Sequence, residues 1–275
     1  MINAAIIAEL RNIVGATEVL TDKEDLFIYS NDATNCSRCP DAVVRPQTTQ
    51  EVAAVMKLAA KHNIFVTGRG AATCLSGGAI PLKVGIIIEM VRMNKIRNID
   101  VENKTVTAEA GVITFEIISQ VAKHGLLYPP DPSSYKESTI GGNVAECAGG
   151  PKGVKYGITR NFVLGVEAVL PDGTIVELGN SIDGEMCGPD WTMLFTGSEG
   201  TMAIITATTL RLVPMPETKK TMMVVYDRLE DAAKTVSATM GSGIIPTTLE
   251  LMDNLTIVAV EQTLQLGLPL EAGGI

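Results

Sequence analysis

The spacing of apolar positions divides the chain into helical and extended stretches. Met1 to Val14 places apolar side chains at helical intervals around Glu9 and Arg11, which predicts an amphipathic helix stopped by Gly15. Asp22 to Tyr29 reads as a second short helix and Ser30 to Arg38 as loop. After a strand end at Val43-Val44-Arg45-Pro46, Thr48 and Glu51 form a capping box ahead of Val52, Val55, Met56 and Ala59, apolar at i, i+3, i+4 and i+7. That helix ends near His62 and Asn63, and Ile64-Phe65-Val66 and Gly85 to Met90 read as short apolar strands. Strand, helix, strand, loop, strand in this order predicts a small parallel or mixed sheet carrying a helix.

Further along, Lys95 to Asp100 and Thr105 to Ala110 form a predicted hairpin with Asn103 in its turn. Thr114 is placed to cap a helix whose Ile117, Ile118 and Val121 face inward, closed by Gly125. Beyond Gly157 the period changes to two: Phe162, Leu164, Val166, Ala168 and Leu170 alternate with their neighbours, and Pro171-Asp172-Gly173 turns the chain into Thr174 to Leu178. Trp191 to Phe195 reads as a short helix, Gly197 to Gly200 as a turn, and Ala203 to Val213 as a long strand rich in β-branched residues.

Pro214 and Pro216 mark a boundary. Past it, Thr221 to Tyr226 and Thr247 to Leu251 read as strands, and Leu229 to Met240 and Asp253 to Leu266 as helices. This is the opening of an α+β unit that further strands would close, so the sequence is expected to be part of something longer.

Composition narrows the function classes. The 275 residues are 46% apolar and 19% charged, enough for a large core and contrary to disorder. A formal net charge of -9 argues against a nucleic-acid surface. No apolar run is long enough to span a bilayer, and the first helix lacks a signal-peptide cleavage pattern, so a cytoplasmic protein is expected. Five cysteines are too few and too odd in number for a disulfide framework. Cys36-x-x-Cys39 has no second pair, since Cys74, Cys147 and Cys187 stand singly, and it reads as two loop thiols.

The candidate chemistry lies in two glycine-rich loops. The first is Gly68-Arg69-Gly70-Ala71-Ala72-Thr73-Cys74-Leu75-Ser76-Gly77-Gly78-Ala79. It is not a Rossmann fingerprint, because Thr73 stands in place of the third glycine and the loop leads into a strand instead of a helix. No Gly-Lys-Ser/Thr follows, so it is not a Walker A loop either. On its own it fits a plain turn or a phosphate cradle in which Arg69, Thr73 and Ser76 assist the backbone N–H groups. The second runs from Pro130-Asp131-Pro132-Ser133-Ser134 through Thr139-Ile140-Gly141-Gly142-Asn143-Val144-Ala145 and Cys147-Ala148-Gly149-Gly150 to Lys155-Tyr156-Gly157. Thr139 can open a short helix whose unpaired N–H groups face an anion. Two such sites suit one pyrophosphate held from both sides, as in a dinucleotide clamp.

Taken with Gly197-Ser198-Glu199-Gly200-Thr201, these motifs resemble the FAD-binding domain of the p-cresol methylhydroxylase and vanillyl-alcohol oxidase superfamily. Within it the chain is most similar to the glycolate oxidase D-subunit and D-lactate dehydrogenase branch. The resemblance runs from about Asp41 to Pro214. It implies an α+β fold: a two-subdomain FAD-binding domain over residues 1–215, with a helical segment at 1–40, followed by the start of an α+β cap domain at 216–275. It implies that Arg69, Gly70, Ala71, Ala72, Thr73, Cys74, Ser76 and Gly77, with Thr139, Gly141, Gly142, Asn143 and Ala145, hold the pyrophosphate. Pro130, Asp131, Pro132 and Ser133 would run along the cofactor, Tyr156 and Gly157 would belong to the site, and Glu199, Gly200 and Ile205 would approach it through backbone contacts.

Ala72 and Cys74 occupy places where that family usually has glycine, so Cys74→Gly is expected to leave FAD binding unchanged or improve it. His62 and His124 sit near helix ends, where histidine is more often a cap or surface group, and Cys147 is more simply a buried small thiol than an attachment point. Non-covalent FAD is therefore expected. The implied reaction is dehydrogenation of a 2-hydroxy acid such as glycolate or D-lactate, with electrons passing to a partner subunit or an electron-transfer flavoprotein. By the same resemblance the catalytic base and metal ligands are expected beyond residue 275, so none is assigned here. A flavin-binding or electron-transfer module, or an inactive fragment without the substrate half, are the other readings.

Overall fold

The computed structural model describes residues 2–179 and 190–275, so Cys187 lies outside them. Two compact units result, one comprising the chain up to Gly150 with Ile158–Met215, the other Pro151–Gly157 with Pro216–Ile275.

The first unit opens with α1 (Ala4–Val14), started by the Asn3 side chain accepting the Ile6 N–H and stopped at Gly15, where φ is 100°. There follow β1 (Val19–Leu20), α2 (Lys23–Ile28), β2 (Ala42–Val44), α3 (Thr49–Lys61), β3 (Val66–Arg69) and β4 (Ile86–Glu89). The strands form a mixed sheet in the order β1-β2-β4-β3, with β2, β4 and β3 parallel and β1 antiparallel at the edge. All four residues of β4 are buried, which explains the run of three isoleucines, and the buried Glu89 at its end accepts from the Tyr29 hydroxyl. Leu10 and Val14 of α1 and Val52, Val55 and Met56 of α3 share one core with Val44, Ile86 and Ile88.

The capping box at α3 is displaced by one residue. Thr48 Oγ1 accepts the Glu51 N–H, but the Glu51 carboxylate accepts the N–H of Gln47. The next strand also starts later than the apolar pattern suggests, at Val66 instead of Ile64, and Phe65 is exposed. The cause is local: Asn63 takes a left-handed φ of 50° and the Ile64 N–H still bonds to Ala59, so the backbone is leaving the helix where the strand was expected. In consequence β3 itself carries Gly68 and Arg69, the first residues of the glycine loop.

The second sheet is antiparallel. Its elements and their neighbours are β5 (Ile96–Asp100), β6 (Thr105–Glu109), α4 (Thr114–Ala122), β7 (Leu126–Leu127), α5 (Ile140–Glu146), α6 (Gly153–Tyr156), β8 (Val163–Val169), β9 (Ile175–Gly179), α7 (Thr192–Phe195), β10 (Ile204–Arg211) and β11 (Val213–Pro214). The order is β5-β6-β10-β8-β9: two hairpins with β10 between them. The two-residue period of β8 is only partly kept, because the β8–β10 pairing slips twice, between Ile205 and Ala207 and between Thr209 and Leu210. The cap of α4 is Ile113 instead of Thr114. Thr114 is buried inside the helix, where its hydroxyl donates to Ser138 O at 3.1 Å and accepts the Asn143 amide at 2.6 Å.

In the second unit, α6 is joined by α8 (Leu229–Gly241) and α9 (Asn254–Leu264), the latter capped by Asp253. The strands expected at Thr221 to Tyr226 and Thr247 to Leu251 are absent among the described residues; Tyr226 and Asp253 make only isolated bridges to Gly274. Apolar, β-prone sequence becomes strand only when another strand pairs with it.

Candidate functional site

The glycine loops meet in the first unit around a cavity of about 540 Å³, within the size range of small-molecule and cofactor sites. Its walls are the end of β3 and the loop after it, residues 132–134 and 138–139, α5, the turn at Glu199 and Gly200, and the start of β10. Met90 and Ala110 contribute apolar surface from the two sheets.

Several contacts there are possible only for glycine. A Cβ on Gly70 would lie 2.1 Å from Thr139 Oγ1, one on Gly141 would lie 2.5 Å from Ala110 Cβ, and one on Gly150 would lie 2.2 Å from the Asp131 carbonyl. At Gly70 the first loop thus meets the Thr139 side chain of the second, at Gly141 the helix lies directly on Ala110, and Gly150 closes on Asp131 within the second loop. Helix α5 is fixed by its own first turn: the Ile140 and Gly141 N–H groups donate to Val112 O and Ala110 O, each at 2.8 Å. This corrects the expectation that these N–H groups stand unpaired toward an anion, since docking against the end of β6 uses two of them. At the other end of α5, the Gly197 and Glu199 N–H groups donate to Val144 O and Ala145 O at 2.9 Å, carrying the 197–200 turn to the cavity edge.

Side chains at the site divide into committed and available groups. The Arg69 guanidinium is half-buried and stacks 5.4 Å from the centre of the Tyr29 ring. Its Nη1 donates to the Tyr29, Asn31 and Ala79 carbonyls at 3.3, 2.7 and 3.4 Å. Arg69 therefore lines the cavity while its Nη1 ties the loop to the backbone of residues 29, 31 and 79. Burial and the adjacent Glu89 push the Tyr29 hydroxyl up to about 12, and it stays a proton donor to that carboxylate at 3.0 Å. The Asn143 amide is likewise committed, to Thr114. By contrast, Thr139 Oγ1 is buried on the cavity wall with no hydrogen-bond partner, the kind of orphaned donor that a ligand satisfies.

Of the two first-loop positions where glycine was expected, Ala72 takes left-handed backbone, with φ 54°, and Cys74 does not. The Cys74 thiol donates to Asp32 Oδ2 at 3.5 Å, and burial raises its pKa, so it is a neutral thiol. Asp32 is held below the ordinary carboxylate value: burial acts the other way, but hydrogen bonds from Thr34, Cys74 and the Gly77 backbone outweigh it.

Most of the anticipated residues come together at this cavity. The exceptions are Gly77, in the adjoining groove with Phe65 and Leu82, Pro130 and Asp131, outside the lining, and Tyr156 and Gly157, which belong to the second unit. Cys147 ends α5 at φ 52° and is not part of the wall. His62 caps the C-terminal end of α3 and His124 is exposed after α4. Glu146 was missed, although helical spacing places it one turn after Gly142 on the same face. It lines the cavity, and Ser76 Oγ donates to both its carboxylate oxygens, at 3.0 and 2.9 Å.

The chain covers 90% of its length in an alignment with glycolate oxidase subunit GlcD of Bacillus subtilis (strain 168), 44% identical over 250 residues. It is 41% identical over 225 residues to a D-lactate dehydrogenase of Anaerostipes hadrus. These alignments take in 53% and 47% of the two proteins, so the chain spans about half the length of the curated relatives it matches. In fold it is similar to alkyldihydroxyacetonephosphate synthase, with TM-score 0.80, 24% identity, 92% of this chain and 48% of that one. It is also similar to p-cresol methylhydroxylase, with TM-score 0.71, 22% identity, 86% of this chain and 48% of that one. A family of C-terminal domains of FAD linked oxidases matches residues 215–275. With residues 40–179 matching the FAD binding domain model, a stretch that includes both glycine loops of this cavity, the chain belongs to the FAD-binding-domain family of FAD-linked oxidases.

Proposed function

We propose that this chain supplies the cofactor-binding part of an FAD-dependent dehydrogenase acting on a small 2-hydroxy acid such as glycolate or D-lactate. Residues 1–215 would form the FAD-binding domain, and 216–275 would contribute to the substrate-side domain. The observation that carries the reading is the junction of the two loops, where a side chain on Gly70 has no room and the buried Thr139 hydroxyl has no partner. Such a cradle admits a group rich in acceptor oxygens and supplies donors to it. Thr139 Oγ1 is the unpartnered donor of this junction, while Gly142, the first loop, Pro132, Ser133 and Ile205 shape the walls. Arg69 keeps the loop in place through its three carbonyls, and Met90 and Ala110 exclude water from one side.

FAD supplies the two-electron acceptor for hydride from the substrate carbon. Binding is non-covalent: among the described residues the one cysteine on the wall is a neutral thiol bonded to Asp32, and neither histidine lines the cavity. The hydroxy acid is suggested by what the relatives are called, and electrons would pass to a partner protein. No helix among the described residues is long and apolar enough to cross a membrane, and a cytoplasmic location is part of the proposal.

The test is the visible spectrum of the purified chain followed by acid precipitation. Yellow protein that releases FAD into the supernatant is expected. Colourless protein that takes up no added FAD overturns the proposal, and flavin retained in the pellet overturns its non-covalent part.

A further inference from the structure

Glu146 lies on the cavity wall against Ser76 and Gly78 of the first loop. Both its carboxylate oxygens accept from Ser76 Oγ, and a Cβ on Gly78 would come within 2.8 Å of its Oε1, so the carboxylate fills the space that glycine leaves at this part of the loop. All three residues line the same cavity. Ser76 has one hydroxyl proton, and while Glu146 holds it, Ser76 offers a phosphate oxygen only lone pairs. The carboxylate also brings a negative charge to a wall that the proposed cofactor approaches with two more.

Resting on the FAD reading above, we infer that Glu146 is a built-in competitor for the phosphate-facing side of the first loop, which must turn aside or take up a proton before Ser76 can bind the dinucleotide. Its surroundings favour release. Burial, followed by the charges of Glu199 and Asp32, raises its pKa, against the opposing hydrogen bond from Ser76. The groups facing it are Ser76 and Cys74 from the first loop, Glu199 from the 197–200 turn and Asp32 from the loop after α2; Cys74 is a neutral thiol, so the two ionised neighbours are both acidic. The sign follows directly: the protonated form does not repel the ligand, so affinity rises as pH falls through a pKa lying above the ordinary carboxylate value.

The test is FAD affinity of the full chain, measured as bound flavin by equilibrium dialysis, for wild type, Glu146→Gln and Glu146→Ala at a series of pH values from 8 downward. Glutamine can donate its amide to Ser76 and so release the hydroxyl proton. At pH 7.5 both variants should bind FAD roughly tenfold more tightly than wild type, and the gap should narrow on acidification. Melting of the FAD-free proteins shows whether each variant folds, and the alanine variant serves if the glutamine one does not. Folded variants that bind FAD no more tightly than wild type, or a gap that does not change with pH, overturn the inference while leaving the FAD reading in place. Failure of all three proteins to bind FAD overturns both.

Discussion

Gly141 and Gly142 are adjacent on α5, yet a methyl group added to each meets different surroundings. At position 141 it would run into Ala110, the floor on which the helix docks; at 142 it meets only Thr139 Oγ1, at 3.2 Å. Gly141→Ala should therefore destabilise the fold by about 1–3 kcal/mol, as overpacking does, and lower the melting temperature with or without FAD. Gly142→Ala should melt near wild type and lose FAD affinity, and unchanged affinity would take Gly142 out of the site. Similar reasoning separates the two departures in the first loop. Ala72 holds a left-handed conformation, which costs a residue with a Cβ about 1–2 kcal/mol, so Ala72→Gly should raise stability by up to about 1 kcal/mol after the entropy of glycine is subtracted, visible as a higher urea midpoint. Cys74 has no such strain to relieve, and Cys74→Gly would remove its thiol from Asp32, so no comparable rise in the urea midpoint is expected of it.

Among elements, the hub of the first unit is Glu167 on β8. Its carboxylate accepts from Arg97 on β5, Thr49 on α3 and Thr206 on β10, joining the helix to three strands. Burial alone would raise its pKa, but the hydrogen bonds from Arg97, Thr49 and Thr206 outweigh it and the value falls. A carboxylate lowered on folding contributes stability above its unfolded pKa of about 4.3 and loses that contribution as pH falls through the lower folded value. Glu167→Gln should cost about 1–3 kcal/mol near pH 7, and its stability should fall less steeply than that of wild type below pH about 4. Denaturant unfolding across that range measures both effects.

None of this network is visible in the chain, because Thr49 and Glu167 are 118 residues apart. The glycine loops, by contrast, were legible, since residues without a Cβ in such density require a backbone reason. The bonds from Arg69 to the Tyr29 and Asn31 carbonyls were not legible, because those residues belong to a loop whose return to β3 has no local signature. The strands expected at 221–226 and 247–251 failed for the opposite reason: the local signal was present, but strand identity is conferred by a partner.

For the whole molecule, the second unit leaves much apolar surface exposed, including Met222 at 84%, Leu255 at 78% and Leu266 at 63%. Surface of this kind attracts partners or aggregates. A polypeptide of residues 1–215, which keeps every residue of the cavity wall, should take up FAD as well as the full chain and remain monomeric at higher concentration. Light scattering and flavin titration check both expectations, and loss of FAD uptake by the shorter chain would show that the cavity needs residues after 215.

The position of β10 also constrains how the protein is made. It is the last strand of the five-stranded sheet to be synthesised and it lies at the centre, between hairpins whose own strands are neighbours in sequence. A nascent chain can form β5–β6 and β8–β9 early, but each hairpin waits with an open inner edge until Ile204–Arg211 leaves the ribosome. Because the start of β10 is also a wall of the cavity, flavin capture during synthesis must follow closure of the sheet, and the cofactor can reward only a chain that has already committed to its fold.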